Sequence, residues 1–472
     1  MVTLACLAAG SAIVVIQHAY GVSTLAASLA AVRDWQAGGR LNAPLTAPAA
    51  LLVSPLCLLP LRAAALLTGA AGVIALLLSL TALVGPIARR YGRPRFPAVL
   101  AALLLALLVA PVRATLGLGG LDLLLFGLIT ADVIALRRSA RARSRAAWSP
   151  DRSGGPGTAT SSPDRSGGPR SRAAWPPDRS GGPSSRAAWP PDRSGGPSSR
   201  AVWPPDRSGG PSSRAVWPPD RSPSRLRMVW VTGAWAGVGT GIATAVAVGP
   251  WLFILYFAVT RRWRAAVTAT VTALTLFGAA LLVAPGPAPI LPGLARSGPF
   301  DVPDNQSLAG VLARLYDSTS TPVLIWLSFA GLLIAVGLIR ARSAHADGDE
   351  VTACTLIGLT GAAVGPVSRV HSLIWLVPAV LALIEAAARR WVTVRRPQSR
   401  RFPGAGFAAV ALIAYLALVA APRWLVGWNG YAFILILLLN SLPWRPGVAP
   451  AMLSRRPRPI PRAPAIPGPR GR

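Results

Sequence analysis

Apolar runs of about 17 to 25 residues recur along this chain, separated by short stretches that carry arginine, and a run of that length can cross a bilayer as a helix. No other property limits the fold so tightly. The chain is 472 residues long, 52% hydrophobic and 14% charged, with a mean hydropathy of +0.49. The expected fold is all-α, a polytopic integral membrane protein with about ten membrane segments.

A formal charge of +32 is large enough to suggest nucleic acid. The positions of the charges argue against that partner. The arginines cluster in short loops between apolar runs, for example Arg89, Arg90, Arg93 and Arg95, or Arg137, Arg138, Arg141 and Arg143. Such clusters mark cytoplasmic faces, so the expected location is the cell membrane, crossed many times, and no nucleic-acid partner is expected. Cys6, Cys57 and Cys354 lie in apolar surroundings without paired spacing, which supports neither a disulfide framework nor a zinc site. No metal or other cofactor is expected. The first apolar run lacks a preceding basic stretch and reads as a retained span.

Four regions follow from the pattern. Residues 1–136 form an N-terminal transmembrane region, with residues 2–19 as the first span and a polar loop from Gly21 to Leu45. Residues 46–60 are short and proline-bounded, which suits a re-entrant or interfacial piece. Residues 137–227 are rich in Pro, Gly, Ser and Arg, with Trp175, Trp189, Trp203 and Trp217 spaced 14 residues apart. A unit of that composition cannot bury enough surface to fold, so a disordered cytoplasmic repeat loop is expected, with contact to anionic lipid or a partner protein as the other readings. Residues 228–445 form a second transmembrane region, and residues 446–472 a basic, proline-rich cytoplasmic tail. Residues 228–259 have arginines at both ends yet are too short for two crossings; the Gly249-Pro250 break predicts two half-helices meeting within the protein.

The longest polar interruption outside the repeats, residues 285–322, contains Asp301, Asp304 and Asp317. It predicts a short interfacial helix with Leu308, Val311, Leu312 and Leu315 on its apolar face, capped by Asp304 or Asn305. Of the 16 acids, six lie in the repeats, and only Asp34, Asp122, Asp301, Asp304 and Asp317 can face outward. Asp122 begins a span, where a carboxylate is costly and calls for a cavity or a partner; Arg113, across the glycine turn, is the expected partner. Arg369 and His371 share a short outer loop, and an arginine there can bind phosphate through its planar fork. The glycines Gly117, Gly119 and Gly120 lack a following Lys-Ser/Thr and do not make a P-loop.

Four pieces, Pro111-Val-Arg-Ala-Thr-Leu-Gly-Leu-Gly-Gly-Leu-Asp122, Ala245-Val-Ala-Val-Gly-Pro-Trp251 with Thr260-Arg-Arg-Trp-Arg264, Asp304-Asn-Gln-Ser307 and Gly365-Pro-Val-Ser-Arg-Val-His371, stand in an order that resembles glycosyltransferase family 87. That family comprises polyprenyl-phosphate-mannose-dependent mannosyltransferases of the GT-C superfamily. The resemblance implies a GT-C type fold and an enzyme, a hexosyltransferase. It would move mannose from a polyprenyl phosphate donor to a lipid-linked or glycan acceptor on the outer face of the membrane. The family's aspartate position in the first outer loop falls on Thr24 or Ser23 here, and Asp34 is the only acid in that loop; Asp34, then Asp301 or Asp304, is the expected catalytic carboxylate, with Arg113, Asp122, Asn305, Gln306, Arg369 and His371 as the expected substrate-binding residues. The implied partners are the lipid donor, the glycolipid or glycan acceptor and the membrane lipids. The family's Lys-x-Thr-Pro reads Ala247-Val-Gly-Pro250 here, and its His-His pair reads His371-Ser372. These changes keep a second reading open: a catalytically degenerate relative that binds lipid or acts as a membrane scaffold.

Overall fold

A computed structural model describes residues 2–41, 45–148, 233–247, 249–283, 304–317, 322–393 and 404–443. The 14-residue repeats, the C-terminal tail and Asp301 lie outside these residues. Residues 1–146 and 225–472 form one compact unit. Among the described residues the secondary structure is helical, without strands.

The chain is a helical membrane protein. Three helices are long and apolar enough to cross a bilayer, α4 (Leu61–Arg90), α10 (Trp263–Val283) and α12 (Val323–Ala346). Helix α12 shows how sequence sets the packing. It buries Ala330, Gly337, Ala341 and Ala344, with Gly337 against Thr360 of α13 (Glu350–Val364), while Leu324 is 81% exposed and Leu327, Phe329 and Leu332 also point outward. Small residues bring the helix backbones together, and the large apolar ones are left for lipid.

Two pairs of consecutive helices are sharply bent. Helices α1 (Val2–Tyr20) and α2 (Ser23–Gln36) meet at 78°, and α5 (Arg95–Leu108) and α6 (Ala110–Leu118) meet at 73°. Counting each pair as one span gives five among the described residues. The remaining apolar helices are shorter, so the count of about ten expected from run length is not reached by long helices alone. The stretch from Gly21 to Leu45, expected as a polar loop, is mostly helix α2. Leu25, Leu29, Val32 and Trp35 recur at helical spacing and are buried against residues 41–65. A seven-residue helix, α3 (Ala47–Val53), and a 3-10 turn, Ser54–Leu58, occupy the proline-bounded piece.

The Gly249-Pro250 break separates two nine-residue helices, α8 (Val238–Val246) and α9 (Trp251–Val259). Both ends of α8 are satisfied by side chains distant in sequence. The buried Asp132 carboxylate, on α7 (Asp122–Trp148), accepts from Gly239 N at 3.3 Å and Thr240 N at 2.6 Å. It thereby pairs amide groups that a helix N-terminus leaves without partners, and its charge complements the helix dipole. At the other end the Thr46 hydroxyl lies 2.8 Å from Ala245 O and 3.2 Å from Val246 O, and it accepts from Ala49 N to cap α3. Asp132→Ala strands buried amides and is expected to cost about 1–3 kcal/mol, read as a lower melting temperature in detergent; Asp132→Asn, which keeps an acceptor, should lose less.

Candidate functional site

Four loops converge at one end of the bundle. The first is the glycine turn after α6, where Gly119 has φ of 74° and Val22 N donates to Gly117 O at 3.1 Å. The second is the loop from Gly365 to Ser372 between α13 and α14 (Leu376–Thr393). The third is the segment from Asp304 into α11 (Leu308–Leu315). The fourth joins α15 (Ala405–Ala420), the short α16 (Arg423–Gly427) and α17 (Gly430–Ser441).

Asn305 and Gln306 hold these loops to one another. Asn305 Oδ1 accepts from Ser307 N, Ser307 Oγ and Ser368 N at 3.3, 2.8 and 3.1 Å, and its Nδ2 donates to Pro366 O at 3.2 Å. Gln306 N donates to Ser368 O at 2.7 Å and Gln306 Nε2 to Val426 O at 2.8 Å. Both side chains are buried, so they act on the site through the loops they fix. The cap of α11 differs from expectation. Ser307 accepts from Gly310 N at 3.2 Å, because Asn305 is already engaged with Ser368 and Asp304 is exposed one residue earlier. The apolar face is rotated too: Ala309, Leu312 and Ala313 are buried, and Leu315 is 74% exposed.

Thr115 ties α6 to the second loop, its hydroxyl lying 2.8 Å from Pro111 O and 3.0 Å from His371 O. His371 is half-buried in the 3-10 turn Val370–Ser372, near the Asp122 carboxylate. That carboxylate folds back over the glycine turn, where a Cβ added at Gly120 would meet its Oδ2 at 3.0 Å. The expected Arg113–Asp122 ion pair is not formed among the described residues. Arg113 turns the other way and donates Nη2 to Val419 O at 3.1 Å, since the end of α15 offers a carbonyl there. Arg369 is exposed beside His371.

The structure thus gathers Asp122 and His371 at the glycine turn, with Arg113 one helical turn before it and Arg369 next to His371. Asp34 stands apart. It is exposed near the C-terminal end of α2, twelve residues beyond the Val22 contact with the turn, or ~18 Å along the helix. Asp304 is exposed at the start of the third loop.

A second polar cluster lies at the opposite end of α13. Glu350 binds Arg262 through Oε1, has His345 Nδ1 at 2.9 Å from the same oxygen, and accepts from the Tyr256 hydroxyl through Oε2 at 3.3 Å. Burial works against its charged form, but the His345 hydrogen bond and the Arg262 guanidinium outweigh that and hold its carboxyl below the ordinary value. In the sequence Glu350 is one acid among the arginines and acids between α12 and α13. The i, i+5 spacing of His345 and Glu350 across a Gly turn was the available signal.

The sequence profile of glycosyltransferase family 87 matches residues 46–149 and 222–368, just over half of the chain. The chain belongs to glycosyltransferase family 87. Over 225 residues it is 26% identical to a polyprenol-phosphate-mannose-dependent alpha-(1-2)-phosphatidylinositol pentamannoside mannosyltransferase of Mycobacterium tuberculosis (strain CDC 1551 / Oshkosh), covering 44% of this chain and 50% of the relative. Over 152 residues it is 30% identical to a polyprenol-phosphate-mannose-dependent alpha-(1-2)-phosphatidylinositol mannoside mannosyltransferase of Mycobacterium tuberculosis (strain ATCC 25618 / H37Rv), covering 31% and 36%. A Mycolicibacterium smegmatis protein with the pentamannoside name is 25% identical over 231 residues, covering 46% and 53%. This family 87 chain therefore spans about half the length of the curated relatives it matches best in extent, and less of the others. No solved structure matches it.

Proposed function

We propose that this family 87 member is a membrane hexosyltransferase. It moves a mannosyl unit from a polyprenyl phosphate donor to a glycolipid or glycan acceptor, on the outer face of the cell membrane. The observation that carries the reading is the meeting of the Arg113–Asp122 stretch with His371, far away in sequence, at one end of an apolar bundle. A lipid-linked phosphate presents its head at that depth while its chain stays in hydrocarbon. The curated relatives are named for the same donor class, with phosphatidylinositol mannoside acceptors.

In this reading Asp34 removes the proton of the acceptor hydroxyl as that oxygen attacks the anomeric carbon of the sugar. The bond from that carbon to the phosphate oxygen breaks, and polyprenyl phosphate leaves with the electron pair. Arg113, Arg369 and His371 stabilise the charge that develops on it. Asp304 and Asp301 are the next candidates for the base. Arginines at the ends of α4 and α12 and at Arg389 fall at the end opposite this site. By the positive-inside trend this supports an outer site, with the repeat loop and the C-terminal tail in the cytoplasm.

One observation favours the second reading, a degenerate relative that binds lipid without turnover: Asp34 lies well away from the glycine turn. A transfer assay on protein reconstituted in liposomes separates the two. Asp34→Asn should abolish transfer while the protein still accumulates; near-normal turnover removes Asp34 as the base and passes the role to Asp304 or Asp301.

A further inference from the structure

Thr115 touches both turns of the site from inside the protein. It is 1% exposed, near the end of α6. Its backbone carbonyl accepts from Gly119 N and from Gly120 N, the latter at 2.9 Å, and so closes the glycine turn that leads to Asp122. Its methyl group lies against the same turn. A Cβ added at Gly120 would meet Asp122 Oδ2 at 3.0 Å and Thr115 Cγ2 at 3.4 Å. The Thr115 hydroxyl reaches the other way, 3.0 Å from His371 O and 2.8 Å from Pro111 O.

A hydroxyl has one proton to donate, and the two carbonyls need it unequally. Pro111 O already receives the Thr115 amide within α6. The turn that carries His371 closes through Ser372 N to Arg369 O at 3.0 Å and Leu373 N to Val370 O at 3.2 Å. Neither amide serves His371 O, and the Thr115 hydroxyl does. A carbonyl left without a donor inside a protein is costly, so the proton goes to His371 O. One side chain thereby fastens a residue 256 positions away in sequence to the turn that presents Asp122.

We propose that Thr115 is a positioning residue for the transfer reaction, one that fixes the His371 turn against the glycine turn and so sets where the His371 imidazole stands beside Asp122. The proposal rests on the reading of His371 as a group that stabilises the departing phosphate, and it adds a residue that touches no substrate. Threonine suits both contacts, with its hydroxyl on one turn and its methyl on the other. An imidazole displaced by about 1 Å meets the developing charge in the wrong place, an error that costs up to about 10²-fold in rate.

The test is a mutant cycle on the full-length protein in liposomes, with polyprenyl-phosphate mannose as donor and an extract of envelope glycolipids as acceptor. Thr115→Val should lower kcat about tenfold and leave KM for the donor within about twofold, since the imidazole acts in the transition state. Thr115→Ser keeps the hydroxyl and should recover most of the rate. In a His371→Ala background Thr115→Val should cost almost nothing further, because the side chain it positions is gone. A merely structural threonine would add its own loss to that of His371→Ala, which overturns the proposal. Wild-type kcat in Thr115→Val overturns it too, as does a loss that Thr115→Ser does not restore. Where Thr115→Val does not accumulate, Thr115→Ala carries the same cycle. Transfer by wild type with additive losses removes this role and leaves the transferase reading; no transfer by wild type, beside an active curated relative, removes both.

Discussion

Arg113→Gln is expected to lower sugar transfer by about 10²–10³-fold, the usual consequence of removing one positioned donor from a developing oxyanion. The guanidinium is held in place at the end of the bundle. One nitrogen is spent on Val419 O, which fixes the group, and another remains free of protein acceptors among the described residues. Arg113→Lys keeps the charge and loses the planar fork, so it should recover only part of the activity. Reduced accumulation of both variants would mean that the Val419 bond is structural first. For that reason the rate is to be read on protein whose melting temperature lies near wild type.

Glu350→Gln is expected to have the largest effect on stability. The carboxylate sits between Arg262, His345 and Tyr256, and the Arg262 and Glu350 side chains are 14% and 11% exposed. Removing one member of a buried charge pair leaves the other uncompensated, at about 3–5 kcal/mol. Thermal unfolding in detergent measures it. The double variant Arg262→Gln/Glu350→Gln should regain much of the loss, because no buried charge is then left alone. The pH dependence follows from the direction of the Glu350 shift. Its carboxyl is held below the ordinary value in the folded protein, so the unfolded chain binds the proton more readily. Its contribution is complete above the ordinary carboxylate value of 4.5 and is lost as pH falls through the lower folded value. The wild-type melting temperature should drop on that acid limb, and Glu350→Gln should flatten it.

The membrane class and the helical fold were legible because run length and hydropathy act locally and need no tertiary context. The broken segment was legible for the same reason: Gly249-Pro250 interrupts α8 and α9 whatever they pack against. The bends were not. Val109 turns α5 into α6 by 73° within continuous apolar sequence, Gly21-Val22 turns α1 into a helix that its charges disguise, and hydropathy averaged along the chain is blind to direction. Helix α2 was legible in principle, through Leu25, Leu29, Val32 and Trp35 at helical spacing, but Arg33, Asp34 and Arg40 masked it as a polar loop. At the site, residue types pointed to Arg113, Asp122 and His371, while their partners depended on loops meeting in three dimensions. Asn305 and Gln306 show the gap most clearly. They were expected among the substrate-binding residues, yet their side chains bind Pro366, Ser368 and Val426.

The most direct measurement is mannosyl transfer by the purified protein in liposomes supplied with polyprenyl-phosphate mannose and an extract of envelope glycolipids. The expected result is incorporation of mannose into a lipid product that depends on this protein and on the polyprenyl phosphate donor, and that is lost in Arg113→Gln. Absence of incorporation, with polyprenyl phosphate still bound and a curated relative active under the same conditions, contradicts it and leaves a lipid-binding member of the family.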